Sequence, residues 1–89
     1  MTRAPIHLVE DPERTPARVA VFSVLAPILS ADEPRAVKLE LVVRRARVSA
    51  GTASDALTWL ITRGYLVLHR RGHRGVAYVT LAGDARRAS

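Results

Sequence analysis

The residue types in this sequence that could act on a partner molecule are short hydroxyls, glycine and arginines, and most of them fall in its second half. Residues 48–64 read VSAGTASDALTWLITRG. At 3.6 residues per turn, Gly51, Asp55, Thr58 and Thr62 share one helical face, with Thr52 and Ser54 at its flanks, while Ala53, Ala56, Leu57, Leu60 and Ile61 share the other. A face meant only for water usually carries long charged side chains. Small hydroxyl and glycine positions instead let a large partner such as a DNA groove come close. Arg44, Arg45 and Arg47 precede this stretch, and Arg70, Arg71, His73 and Arg74 follow it. Together these types suit a large polyanionic partner. Each has a plainer reading. The helix could simply be amphipathic, the arginines of residues 44–47 could serve a helix dipole at about a few tenths of a kcal/mol each, and His73 could be a turn residue.

Other chemistry finds little support. His69 and His73 could meet across a turn, but neither they nor His7 have a third ligand beside them, so no metal site is expected. No nucleophile, base and orienting group assemble, and no glycine loop precedes a helix to cradle a phosphate. Neither an enzyme nor a cofactor site is expected, and no small-molecule effector is evident.

Charge is unevenly spread. The 89 residues carry a net charge of +6. Residues 1–34 hold three arginines against five carboxylates, whereas residues 35–89 hold 11 basic residues against Glu40, Asp55 and Asp84. The basic part is thus the part with the two-faced helix, which points to a polyanionic partner. Cysteine is absent, and the longest apolar run, residues 19–29, is interrupted by Ser23 and Pro27 and is too short to span a bilayer. A cytoplasmic protein with no membrane partner is expected.

The elements that must position these residues follow from local signals. Residues 1–14 contain Ile6, Leu8 and Val9 as a brief apolar patch and are expected to form an N-terminal arm whose removal leaves the fold intact. Thr15 and Pro16 open a first helix with Val21, Phe22, Leu25, Ile28 and Leu29 as its stripe, and Pro27 should kink it or loosen its last turn. Ala36 and Val37 suggest a short strand. A second helix runs from about Lys38 to Ala46, facing the core with Leu39, Val42, Val43 and Ala46 and turning Leu41 outward. About three residues then lead to a third helix, capped by Ser49 and stopped by Gly64, so the pair has helix-turn-helix spacing. Residues 65–69 and 76–81 read as strands around a basic tip at residues 70–75, and residues 86–89 as a flexible tail. Trp59 falls between the two faces of the third helix and is expected to cover the core edge, with a subunit contact as the alternative.

In this order of elements the chain resembles the winged helix-turn-helix family of bacterial DNA-binding proteins over roughly residues 16–85. The likeness rests on AVKLELVVRRARVS for the second helix and turn, SAGTASDALTWLITRGYL for the third helix and its following strand, and HRRGHRGVAYVTLAG for the wing. It is greatest to small regulators of the multiple-antibiotic-resistance type and to phage and plasmid regulators of that layout. Lys38 stands where such proteins often have a Ser or Thr cap, Arg47 where glycine is frequent, and no long dimerisation helix follows the wing. The resemblance implies an α+β domain over residues 15–85, a three-helix winged helix-turn-helix with a small antiparallel hairpin wing. It also implies double-stranded DNA as partner, the third helix in the major groove and the wing on the flanking backbone or minor groove. The residues that would contact DNA are Lys38, Arg44, Arg45, Arg47, Ser49, Gly51, Thr52, Ser54, Asp55, Thr58, Arg70, Arg71, His73 and Arg74. A homodimer is expected, joined through the Ile6 patch or through Val19, Val24 and Ile28. The alternative is a winged-helix protein-interaction module with Leu41 and Trp59 as its contact patch. RNA binding is disfavoured because aromatic stacking platforms are missing.

Overall fold

The computed structural model describes Leu8 and residues 10–82. In chain order its elements are α1 (Pro16–Leu25), β1 (Arg35–Lys38), α2 (Leu39–Ala46), α3 (Ala50–Thr62), β2 (Leu66–Arg71) and β3 (Val76–Leu81). The three strands form one antiparallel sheet in the order β1-β3-β2. The fold is therefore α+β with a winged-helix layout, β2 and β3 forming the hairpin and β1 pairing with its inner strand.

Most boundaries have local causes. Thr15 Oγ1 accepts the Arg18 amide at 3.2 Å and Pro16 occupies the first helical position of α1, where a missing donor does no harm. The helix stops at Leu25 because Pro27 has no amide to continue the ladder; the amides of Ile28 and Leu29 both turn back to the Leu25 carbonyl at 3.0 Å. That loose turn carries Ile28 out of the expected stripe and leaves it 40% exposed, while Leu29 stays buried. At α2, Lys38 makes no side-chain cap. The amide of Leu39 donates instead to the Gly75 carbonyl in the wing at 3.1 Å, so a tertiary bond replaces the hydroxyl cap and ties the hairpin to α2. α3 ends in a Schellman motif, with the Tyr65 amide on the Leu60 carbonyl at 2.9 Å and the Gly64 amide on the Ile61 carbonyl at 3.1 Å. Gly64 sits at φ 87°, a conformation that glycine adopts without steric cost.

The hairpin departs from expectation. β2 runs on to Arg71, and the pairing with β3 slips between Leu68 and Arg70, a bulge at His69 that increases the local twist. Arg70 and Arg71 are consequently strand residues, and only His73 and Arg74 of the expected basic tip lie in the turn. Phe22 and Leu25 of α1, Val42 of α2, Ala53, Ala56 and Leu60 of α3, and Val37, Leu66 and Val79 of the sheet form one core, with Leu8 fully buried among them. Leu39, Val43 and Ala46 pack on that core, while Leu41 is half-buried outside it.

Asp11 is the second anchor of the N-terminal segment. Its carboxylate is 5% exposed and accepts the Glu13 amide at 2.9 Å, three contacts from the Arg63 guanidinium at 2.8–3.1 Å and the Tyr65 hydroxyl at 2.9 Å. Leu8 and Asp11 thus belong to the domain rather than to a separable arm, and cutting at residue 14 would remove part of the core. Ile6 and Val9 lie outside the described residues, as does the expected tail. Burial by itself would push the Asp11 carboxyl up, but the Glu13 amide, Arg63 and Tyr65 outweigh it and hold it below the ordinary carboxylate range. Burial, and then the neighbouring carboxylate, push the Tyr65 hydroxyl up to about 12.

The signs follow by linkage. The Asp11 contribution is complete above the unfolded carboxylate value near ~4 and is lost as pH falls through its lower folded value; the Tyr65 contribution is complete below pH ~10 and fades toward 12. Asp11→Asn should lower Tm at pH 7 by on the order of 10 °C and shrink the difference in Tm between pH 7 and pH 3. Thermal melts of both proteins across that range check this, and an unchanged acid slope would contradict it.

Candidate nucleic-acid interface

α3 presents the face that its spacing dictates. Gly51, Thr52, Ser54, Asp55, Thr58 and Thr62 are exposed, while Ala53, Ala56 and Leu60 are buried and Leu57 and Ile61 half-buried. Ser49 caps the helix by accepting the Thr52 amide at 3.1 Å, and its own hydroxyl donates to Thr52 Oγ1 at 2.9 Å. The two hydroxyls are therefore bonded to each other at the start of the helix. Ala50 and Gly51 are exposed in the first turn of α3, where amides have no intrahelical carbonyl partner. A Cβ built on Gly51 meets nothing within 4 Å. No internal contact requires glycine there, and an alanine would favour the helix by about 0.5–1 kcal/mol.

Arginines stand around this face. Arg44 and Arg45 are exposed in the last turn of α2, and Arg47 follows in left-handed backbone at φ 59° and ψ 49°. Arg74, at the wing turn, has φ 57°. These are the two non-glycine residues with positive φ among those described, a conformation that costs a side chain about 1–2 kcal/mol. Arg63 pairs with Asp11, and no ion pair joins Arg44, Arg45, Arg47, Arg71 or Arg74 to another described residue.

The wing cations do not act as one group. Arg71 pairs with Ala77, Ala77 with the buried Val37, and all three line the crevice between the sheet and α3. Arg70 pairs with Tyr78 and lies over its ring at 4.0 Å, on the opposite face of the sheet. Lys38, next to buried Val37 and paired with Val76, shares that opposite face by strand alternation. The expected set is thereby divided: Arg71 accompanies α3, Arg70 and Lys38 do not, and Arg74 stands exposed in the turn. His73 is exposed in the turn, and its carbonyl accepts the Val76 amide at 3.2 Å. His69 does not meet it; His69 Nε2 lies 2.9 Å from Thr80 Oγ1.

Trp59 covers the core edge. Its ring stacks on Tyr65 at 5.8 Å, Arg18 lies over it at 4.4 Å, and its Nε1 donates to Glu13 at 3.3 Å. The cluster that sequence reasoning missed is this one together with Asp11, Arg63 and Tyr65. Its members are up to 54 residues apart, and no local spacing signals such a set.

Comparison of the chain with protein-family models, with curated proteins and with solved structures finds no match. No helix among the described residues is long and apolar enough to cross a membrane.

Two substitutions should raise stability. Gly51→Ala should add about 0.5–1 kcal/mol, and Arg47→Gly a similar amount of about 0.5–1 kcal/mol, since relief of the left-handed side chain exceeds the added chain entropy. Urea unfolding midpoints measure both; a loss of stability in Gly51→Ala would mean that the fold does need glycine there.

Proposed function

We propose that this chain binds double-stranded DNA sequence-specifically in the cytoplasm, as a transcriptional regulator or a phage or plasmid control protein. In this reading α3 enters the major groove, and the wing lies on the flanking backbone or minor groove. The observation that carries it is the pair of left-handed arginines, Arg47 immediately before α3 and Arg74 at the wing tip. Arginine at such positions disfavours the fold, so its use is outside the fold, and five arginines that pair with no described carboxylate, together with a bare hydroxyl face, fit a phosphate backbone. Asp55 on that face can accept from cytosine N4 and would repel phosphate, which favours sequence selection over general affinity. The competing reading, an interaction module using Leu41 and Trp59, loses support because Trp59 is already enclosed by Arg18, Tyr65 and Glu13.

A single module of this size buries only about 600–1,000 Å² on DNA, so specific control favours two copies on half-sites roughly one helical turn apart. We propose a homodimer, with exposed Ile28 and half-buried Val19 and Val24 as its apolar contact. Light scattering at tens of micromolar should give twice the chain mass, and Ile28→Glu should return it to a monomer.

Binding should be strongly salt-dependent. With Arg44, Arg45, Arg47, Arg71 and Arg74 on phosphates, log K should fall against log salt with a slope of about −4.5. Mobility shifts over a salt series measure it, and no shift at low salt would remove the reading. Arg74→Ala should weaken selected and random duplexes alike, by about tenfold, whereas changes at Thr52, Asp55 or Thr58 should change which sequence a random pool yields.

A further inference from the structure

An open crevice of about 130 Å³ lies between α3 and the sheet. Its floor is apolar, with Val37 and Val79 buried and Leu57, Ile61 and Ala77 half-buried. Its rim is polar and exposed: Ser54 and Thr58 on the helix side, Arg71 on the wing side. The two rims belong to the two elements that the DNA reading places in adjacent grooves. Successive grooves of a duplex are separated by one sugar–phosphate strand, and that strand has to pass over this crevice.

We propose that the crevice seats one deoxyribose of that strand, with an adjoining phosphate held by Arg71, Ser54 and Thr58. The proposal rests on the DNA-binding reading and adds where the backbone is gripped. A deoxyribose is bulkier than the benzene ring that a closed cavity of roughly 150 Å³ holds, so this open crevice of about 130 Å³ takes the sugar by one face and leaves the rest of it outside. Chemistry agrees as well. A phosphate alone would be poorly served by a floor of valine, leucine and isoleucine, whereas the C–H surface of a sugar suits it, and the guanidinium and hydroxyls at the rim suit the anion beside it. The crevice therefore sets how deep α3 sits in its groove, and Arg71 acts as a positioning contact at one defined phosphate, unlike Arg74, which stands outside the crevice in the exposed turn.

The test fills the crevice without touching charge. Ala77→Leu should keep or raise Tm, leave the salt slope unchanged, and lower affinity for the selected duplex at least tenfold. Ala36→Leu, which adds the same bulk on the opposite face of the sheet, should bind like the parent protein. In parallel, duplexes carrying one neutral methylphosphonate at successive positions should reveal a phosphate whose loss weakens the parent protein about tenfold and has no effect on Arg71→Ala. Folded Ala77→Leu with undiminished affinity overturns the proposal. Should Ala77→Leu fail to fold, the methylphosphonate series decides it, and a series with no position silenced by Arg71→Ala overturns it. A parent protein that binds no duplex at low salt removes the DNA reading itself, which separates that failure from failure of the crevice.

Discussion

The buried Asp11 carboxylate is the contact on which the far end of α3 depends. A charge removed from water is tolerable only when every lone pair is met, and here a backbone amide, a bidentate guanidinium and a phenol meet it. Those partners come from the N-terminal segment, the cap of α3 and the residue before β2. One side chain thus joins three parts of the chain that would otherwise be held only by the apolar core. Trp59 stacks on the Tyr65 ring of this node, and Arg18 lies over Trp59. The C-terminal end of α3 is fixed in this way, so its N-terminal end can stay bare.

That bareness is expensive to the fold and concentrated on one side. Gly51 weakens the helix without relieving any crowding, and Arg47 and Arg74 hold left-handed backbone that glycine would adopt more readily. Local choices that work against the fold mark positions where another requirement prevails. Gly51 and Arg47 lie at the start of α3, and Arg74 lies in the wing turn next to Gly75, which lines the crevice with that helix. The wing is placed relative to this face by the bond from the Leu39 amide to the Gly75 carbonyl. This bond is also why α2 does without a hydroxyl cap, and it sets the gap between wing and helix.

Most of the architecture was legible from short-range signals. The Ser49 cap, the Gly64 stop and the period of the apolar residues between them define α3 within one turn, because each depends on contacts at most five residues apart. The same holds for the Thr15 and Pro16 start of α1, whereas the pairing of β2 with β3, which sets Leu66 opposite Leu81, was legible from two apolar runs around a glycine-bearing turn. The exposed face of α3 was legible too, since helical period alone decides which residues share a side. Less was legible wherever a bulge or a proline altered the phase. The slip at His69 lengthened β2 and moved Arg70 and Arg71 out of the turn, and the stop at Leu25 exposed Ile28.

The sequence by itself determined the number and order of elements, the two-faced helix and the basic bias of the second half, because all of these depend on neighbours along the chain. Tertiary structure alone decided that Leu8 and Asp11 belong to the core, that Arg63 is tied to a carboxylate 52 residues away, and that Arg70 and Arg71 point to opposite faces of one sheet. Such outcomes depend on which distant groups the fold brings within a few ångströms, and strand alternation turns a single-residue shift into a reversal of direction. For a basic cluster this difference is large, since Arg70 and Arg71, adjacent in sequence, come to lie on two separate surfaces.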